Sequence, residues 1–170
     1  MQEMLEKLKR ELEIRNFSNK TIKSYLYAVE RFLTFSQNKK LDENTLKNYL
    51  QTSIKKQNPS TVSSNLSAIE FFFEKVLGNK IRLPHPKRNK LIPDVLSNEE
   101  IKKLIEVTTN IKHKLIVRLL YGCGLRVSEI VNLKKEDVNF NETLIHIKLA
   151  KGRKDRFVKI PDSIVGDLGN

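Results

Sequence analysis

Three prolines, Pro84, Pro86 and Pro93, fall inside one short run, Ile81 to Pro93, that also carries the cations Arg82, Lys87, Arg88 and Lys90. Proline lacks an amide donor and pushes its predecessor out of helical geometry. Neither a continuous helix nor a central strand therefore passes through this run. The 170-residue chain divides into a helical part at 1–80, a basic Pro-rich linker at 81–96 and a second part at 97–170. That length suits one ordinary domain or two small ones. Lys and Arg number 32 against 20 Asp and Glu, a formal net charge of +12. A chain this basic usually meets a polyanion or an anionic membrane surface. No run approaches the roughly 20 apolar residues of a membrane span, and the start, MQEMLEKLKRELEIR, has no signal-peptide core. The single cysteine, Cys123, excludes an intrachain disulfide, and a cytoplasmic location is expected. With one Cys and three scattered histidines, no structural metal site is expected.

The first part reads as helical. Met4, Leu5, Leu8 and Leu12 recur at helical spacing and the pattern stops near Asn16. Ser18 is placed to cap a second helix carrying Ile22, Leu26, Val29 and Leu33, and Asp42 to cap a third with Leu46 and Leu50. Asn58-Pro59 starts a fourth, carrying Val62, Leu66, Ile69, Phe73 and Val76 and ending at Gly78. One or two of Phe71, Phe72 and Phe73 belong to its core. Four short helices with short connections make a small bundle.

The second part opens with Ser97 and Glu100 at capping-box spacing. A very apolar helix, about Ile111 to Tyr121, is expected to be buried, Tyr121 included, and Gly122 and Gly124 end it. A short helix at Leu125–Leu133 follows. The period then changes to two: Thr143–Leu149 and Arg156–Ile160 alternate as strands do, and Ala150–Asp155 between them is a basic, glycine-containing turn. Cys123 reads as a small buried filler, and His113 and His146 as structural.

Two features carry chemistry. In Tyr121-Gly-Cys-Gly-Leu-Arg-Val-Ser-Glu, Arg126 stands at a helix start with Glu129 three residues on. An arginine held by a carboxylate suits bidentate contact with phosphate. The same spacing also fits a surface ion pair worth little. In the hairpin turn, Lys151 stands among Arg153, Lys154 and Arg156. Such a turn suits a nucleic-acid backbone; a lysine there can protonate a leaving oxygen if its pKa is lowered, and the turn also reads as plain solubilising charge.

The string Gly124-Leu-Arg-Val-Ser-Glu-Ile130, followed by Leu149-Ala-Lys-Gly-Arg-Lys-Asp-Arg-Phe-Val-Lys-Ile-Pro161, resembles the tyrosine recombinase family, in particular its Xer-type members and their phage-type and archaeal integrase relatives. Pro93–Glu100 is similar to that family's entry into its catalytic domain. Asn19–Tyr25 is similar to a helix of its N-terminal DNA-binding domain. The resemblance implies a mainly α fold: an N-terminal four-helix SAM-like core-binding domain plus an incomplete α+β catalytic domain with a β-hairpin. It implies clamping of duplex DNA and strand exchange through a 3′-phosphotyrosine without cofactor or metal, and a homo-oligomer on the DNA through the intact family member. Arg126 corresponds to the arginine on the scissile phosphate, Lys151 to the hairpin lysine that protonates the leaving 5′-hydroxyl, and Glu129 to the acidic residue supporting the arginine. Fixed cations stabilise charge developing on the phosphoryl oxygens.

The family pattern continues with His-x-x-Arg and a late nucleophilic tyrosine. Within these 170 residues neither follows Lys151; Tyr25, Tyr27, Tyr49 and Tyr121 all precede it, and His85-Pro-Lys-Arg88 fits the first motif only in the linker. The expectation is a C-terminally truncated stretch, inactive alone, or else a non-catalytic DNA-binding or regulatory remnant. Lys20, Lys23 and Ser24 on the second helix, Ser60, Thr61, Ser64 and Asn65 on the fourth, Lys87, Arg88 and Lys90 in the linker, and Arg153 and Lys154 in the turn are the expected DNA contacts, each equally readable as solvated polar surface. A basic RNA-binding protein is the third reading, weakened by the absence of an aromatic stacking signature.

Overall fold

A computed structural model describes residues 1–37, 39–87, 92–148 and 155–168. The chain forms two compact units, Met1–Ile92 and Pro93–Asn170.

The N-terminal unit holds α1 (Gln2–Ile14), α2 (Asn19–Phe35), α3 (Glu43–Ile54) and α4 (Pro59–Lys75). The starts of α2, α3 and α4 are fixed locally. The Ser18 hydroxyl accepts from the Thr21 amide, the Asp42 carboxylate from Thr45, and the Asn58 side-chain oxygen from Ser60, just after Pro59 at the first helical position. Just past the end of α1, Asn16 turns the chain with a positive φ of 57°, which asparagine tolerates. Leu8, Leu12, Phe32, Leu46, Leu66, Phe72 and Phe73 form the fully buried interior. Phe32 meets Tyr49 edge-on at 5.5 Å, and Phe71 packs partly buried between Phe17 and Tyr25. Ile81 and Leu83 are buried in the same core, so the chain is still docked at residue 83. Glu70, buried on α4, holds it there: its carboxylate accepts the Leu83 amide at 2.9 Å and lies 3.7 Å from the Arg82 guanidinium.

The C-terminal unit runs α5 (Asn98–Val107), α6 (Ile111–Gly122), α7 (Val127–Val131), one 3₁₀ turn (Lys135–Asp137), β1 (Val138–Asn139), β2 (Leu144–Ile147), β3 (Arg156–Lys159) and α8 (Asp162–Leu168). The Ser97–Glu100 capping box is formed in both directions. The strands make one antiparallel sheet in the order β1-β2-β3, with Ile145 opposite Val158 and Ile147 opposite Arg156. Leu119, Cys123, Leu125, Ile145, Ile147, Ile160 and Ile164 are its buried core.

Two expectations are corrected. The apolar α6 is not buried as a whole: of its residues only Leu119 is, while Ile111 and Ile116 are exposed. It packs on α5, α7 and α8, and these neighbours leave part of its surface uncovered. Tyr121 is exposed, its hydroxyl donating to the Asn98 side chain rather than sitting in the core. The edge strand β1 and helix α8 were not anticipated; β2 begins at Leu144 because Thr143 turns with a φ of 52°.

Candidate functional site

The site grows from a tight chain reversal. After α6 the backbone turns through Gly124 at φ 60°, a left-handed conformation that costs glycine nothing. Buried Leu125 then pins the segment, and Arg126 becomes the residue flanking α7. From the third position of α7, Glu129 reaches back and accepts the Arg126 amide at 2.8 Å and one guanidinium N–H of the same residue at 2.7 Å.

Glu129 has a second cationic partner that sequence reading did not pair with it. Arg156 enters from β3 on the face of the sheet that also carries Ile145, Ile147 and Val158. Its two terminal nitrogens donate to the two Glu129 oxygens at 2.8 and 2.7 Å, a planar fork on a planar carboxylate. The carboxylate accepts four hydrogen bonds and its side chain is only 7% exposed. Arg156 above all, then the Arg126 amide and guanidinium, holds the Glu129 carboxyl well below the usual carboxylate range, and Glu129 in turn raises the Arg156 guanidinium. Two guanidinium charges against one carboxylate leave the cluster net positive. Arg126 is the exposed member at 54%, and among the described residues only Glu129 takes a hydrogen bond from its guanidinium.

Both legs of the hairpin are tied at their base. Lys148, just beyond β2, lies 2.5 Å from a carboxylate oxygen of buried Asp137, whose other oxygen accepts the Lys134 amide. Lys148 chiefly, with that amide, lowers the Asp137 carboxyl. Across the strands the His146 ring stacks on Phe157 at 4.5 Å and meets Asp155 at 3.2 Å. Residues 149–154 lie outside the described residues, and with them Lys151, Arg153 and Lys154.

Of the other expected contacts, Lys20, Lys23 and Ser24 are exposed on the first turns of α2, and Ser60, Thr61 and Ser64 on the first turns of α4. Asn65 is half-buried and donates to Gln57. Lys87 is exposed, and Arg88 and Lys90 lie outside the described residues. Among the described residues no helix is long and apolar enough to cross a membrane, and no group of side chains is fit to bind a metal.

Residues 4–83 match the phage integrase N-terminal SAM-like domain, and residues 94–168 match the phage integrase family. The chain belongs to the phage integrase family of tyrosine recombinases. This integrase-family chain is 36% identical over 172 residues to the tyrosine recombinase XerA of Pyrococcus furiosus, an alignment covering 99% of this chain and 60% of the relative. It is 33% identical over 162 residues to the tyrosine recombinase XerC of Staphylococcus aureus, covering 85% of this chain and 54% of that one. Among solved structures, the XerH site-specific recombinase bound to palindromic difH substrate has a TM-score of 0.70 at 21% identity, covering 94% of this chain and 55% of that one. The Tn1549 transposon integrase in complex with transposon right end DNA has a TM-score of 0.67 at 13% identity, covering 96% and 62%. These two likenesses concern the fold alone. The chain spans about 60% of the length of the curated relatives it matches.

Proposed function

We propose that this chain binds the backbone of duplex DNA, with Arg126 taking the non-bridging oxygens of one phosphate. The observation that carries the reading is an exposed guanidinium whose carboxylate partner is itself saturated by a second arginine. Such a cluster keeps net positive charge and open N–H donors, which is what a phosphodiester requires. A formal charge of +12 and membership of a recombinase family support it. Glu129 orients Arg126, and Lys151 acts as proton donor to a leaving 5′-hydroxyl when the chemistry of the full family pattern is present. Lys20, Lys23, Ser24, Ser60, Thr61, Ser64, Asn65, Lys87, Arg88, Lys90, Arg153 and Lys154 supply the surrounding phosphate and base-edge contacts. The reaction class is site-specific DNA strand exchange. In this sequence no tyrosine follows Lys151, so the 170-residue polypeptide by itself occupies DNA without forming a phosphotyrosine bond.

Fluorescence anisotropy with a duplex of about 30 base pairs tests the reading. Affinity is expected to fall on the order of a hundredfold or more between 50 and 200 mM salt, with duplex DNA preferred over duplex RNA. Weak binding that ignores salt, or equal binding to RNA, overturns it. On a nicked suicide duplex no covalent adduct is expected; an adduct places a nucleophile among the four tyrosines present.

A further inference from the structure

We propose that Arg156 is a positioning residue for the phosphate site, keeping the Arg126 guanidinium available to an anion by occupying the carboxylate that would otherwise capture it. The inference rests on the reading of Arg126 given above. A carboxylate offers about four lone-pair positions. At Glu129 the Arg126 amide takes one, the Arg156 fork takes two, and a single Arg126 N–H takes the last. Arginine and carboxylate prefer the bidentate arrangement. With Arg156 in place that arrangement is already made, from β3, and Arg126 can contribute only one of its donors. Its remaining N–H groups stay turned to solvent on a half-exposed side chain.

Removal of Arg156 changes two things together. Two acceptor positions open on Glu129, and Arg126, already 2.7 Å away, folds onto them as a closed fork. The local charge falls from one net positive to zero, because one guanidinium and one carboxylate then cancel. Both changes act on an incoming phosphate through Arg126 alone. Arg156 itself needs no contact with DNA, since its fork is spent on Glu129.

The test is a double-mutant cycle in the full chain: wild type, R126A, R156Q and R126A/R156Q, measured for duplex affinity at one low salt concentration, with thermal melting to establish folding. R156Q is expected to weaken binding roughly tenfold in the wild-type background and less than about twofold in R126A. R156K, which keeps the charge but offers a point donor instead of a fork, is expected to fall between wild type and R156Q. Equal weakening of both backgrounds overturns the proposal, because a merely structural loss acts whether or not Arg126 is present. A second readout needs no DNA: side-chain ¹⁵N spectra of arginine are expected to show slower guanidinium rotation at Arg126 in R156Q than in wild type. An unchanged Arg126 signal overturns the proposal on its own. If R126A binds duplex as tightly as wild type while the spectral change is seen, the reading of Arg126 as a phosphate ligand fails, and the positioning claim falls with it for DNA.

Discussion

The two units are stabilised by different means. The N-terminal unit buries three whole phenylalanines, Phe32, Phe72 and Phe73, inside four helices, of which α2, α3 and α4 have starts capped by side chains. The C-terminal unit has no fully buried aromatic among its described residues; its fully buried large side chains are Ile145 and Ile160. It relies more on carboxylates sunk into its framework, Glu129 between two arginines and Asp137 against Lys148, where the N-terminal unit sets Glu70 against Leu83 and Arg82. Packing suffices to hold a helical bundle whose polar side chains stand mostly on its surface. Where a guanidinium must stand in a fixed place with spare donors, polar restraint does the positioning, at some loss of apolar burial.

The largest effect that sharpens this contrast is expected in the N-terminal core. F72A removes a fully buried ring that packs edge-on against Phe73 and should destabilise that unit by about 3–5 kcal/mol, read as a lower denaturation midpoint. A loss well under 1 kcal/mol contradicts the packing account.

The next concerns acid. Because the folded-state pKa of Glu129 is depressed, its stabilisation is present above the ordinary carboxylate value of 4.5 and drains away as pH falls below it. E129Q should lower the stability of the C-terminal unit at pH 7 and flatten its decline between about pH 4.5 and 2, leaving the slope due to Asp137 and Glu100, whose pKa values are also lowered. Unfolding of the variant with an undiminished acid slope breaks the comparison.

The smallest is a cap. S97A removes the hydroxyl that accepts the Glu100 amide, and is expected to cost about 1 kcal/mol, visible as fraying of α5 in amide exchange. Unchanged exchange in the first turn of α5 counts against the capping box as a stabilising feature.

Much of this was legible in the residues because the signals are local. Ser18, Asp42, Asn58 and Ser97 announce helix starts a few positions ahead, and the Arg126–Glu129 pair is set by one helical turn. Arg156 was not legible as a partner. It lies 27 residues from Glu129, and only the β2–β3 register, which turns it to the face shared with Ile147, brings the two together. The exposure of α6 escaped for a related reason: a run of apolar residues reports what a helix can bury, not how many neighbours its unit supplies. Helix α8 is short and contains Gly166, so its propensity is weak, and Ile164 packing into the core is what holds it.

The central claim is that Arg126 is a phosphate ligand. The most direct test is the salt dependence of duplex binding by wild type and R126A, plotted as log affinity against log salt. Loss of one phosphate contact predicts a slope shallower by about 0.9 in R126A, together with weaker binding at every salt concentration. Identical slopes and affinities for the two proteins contradict the account.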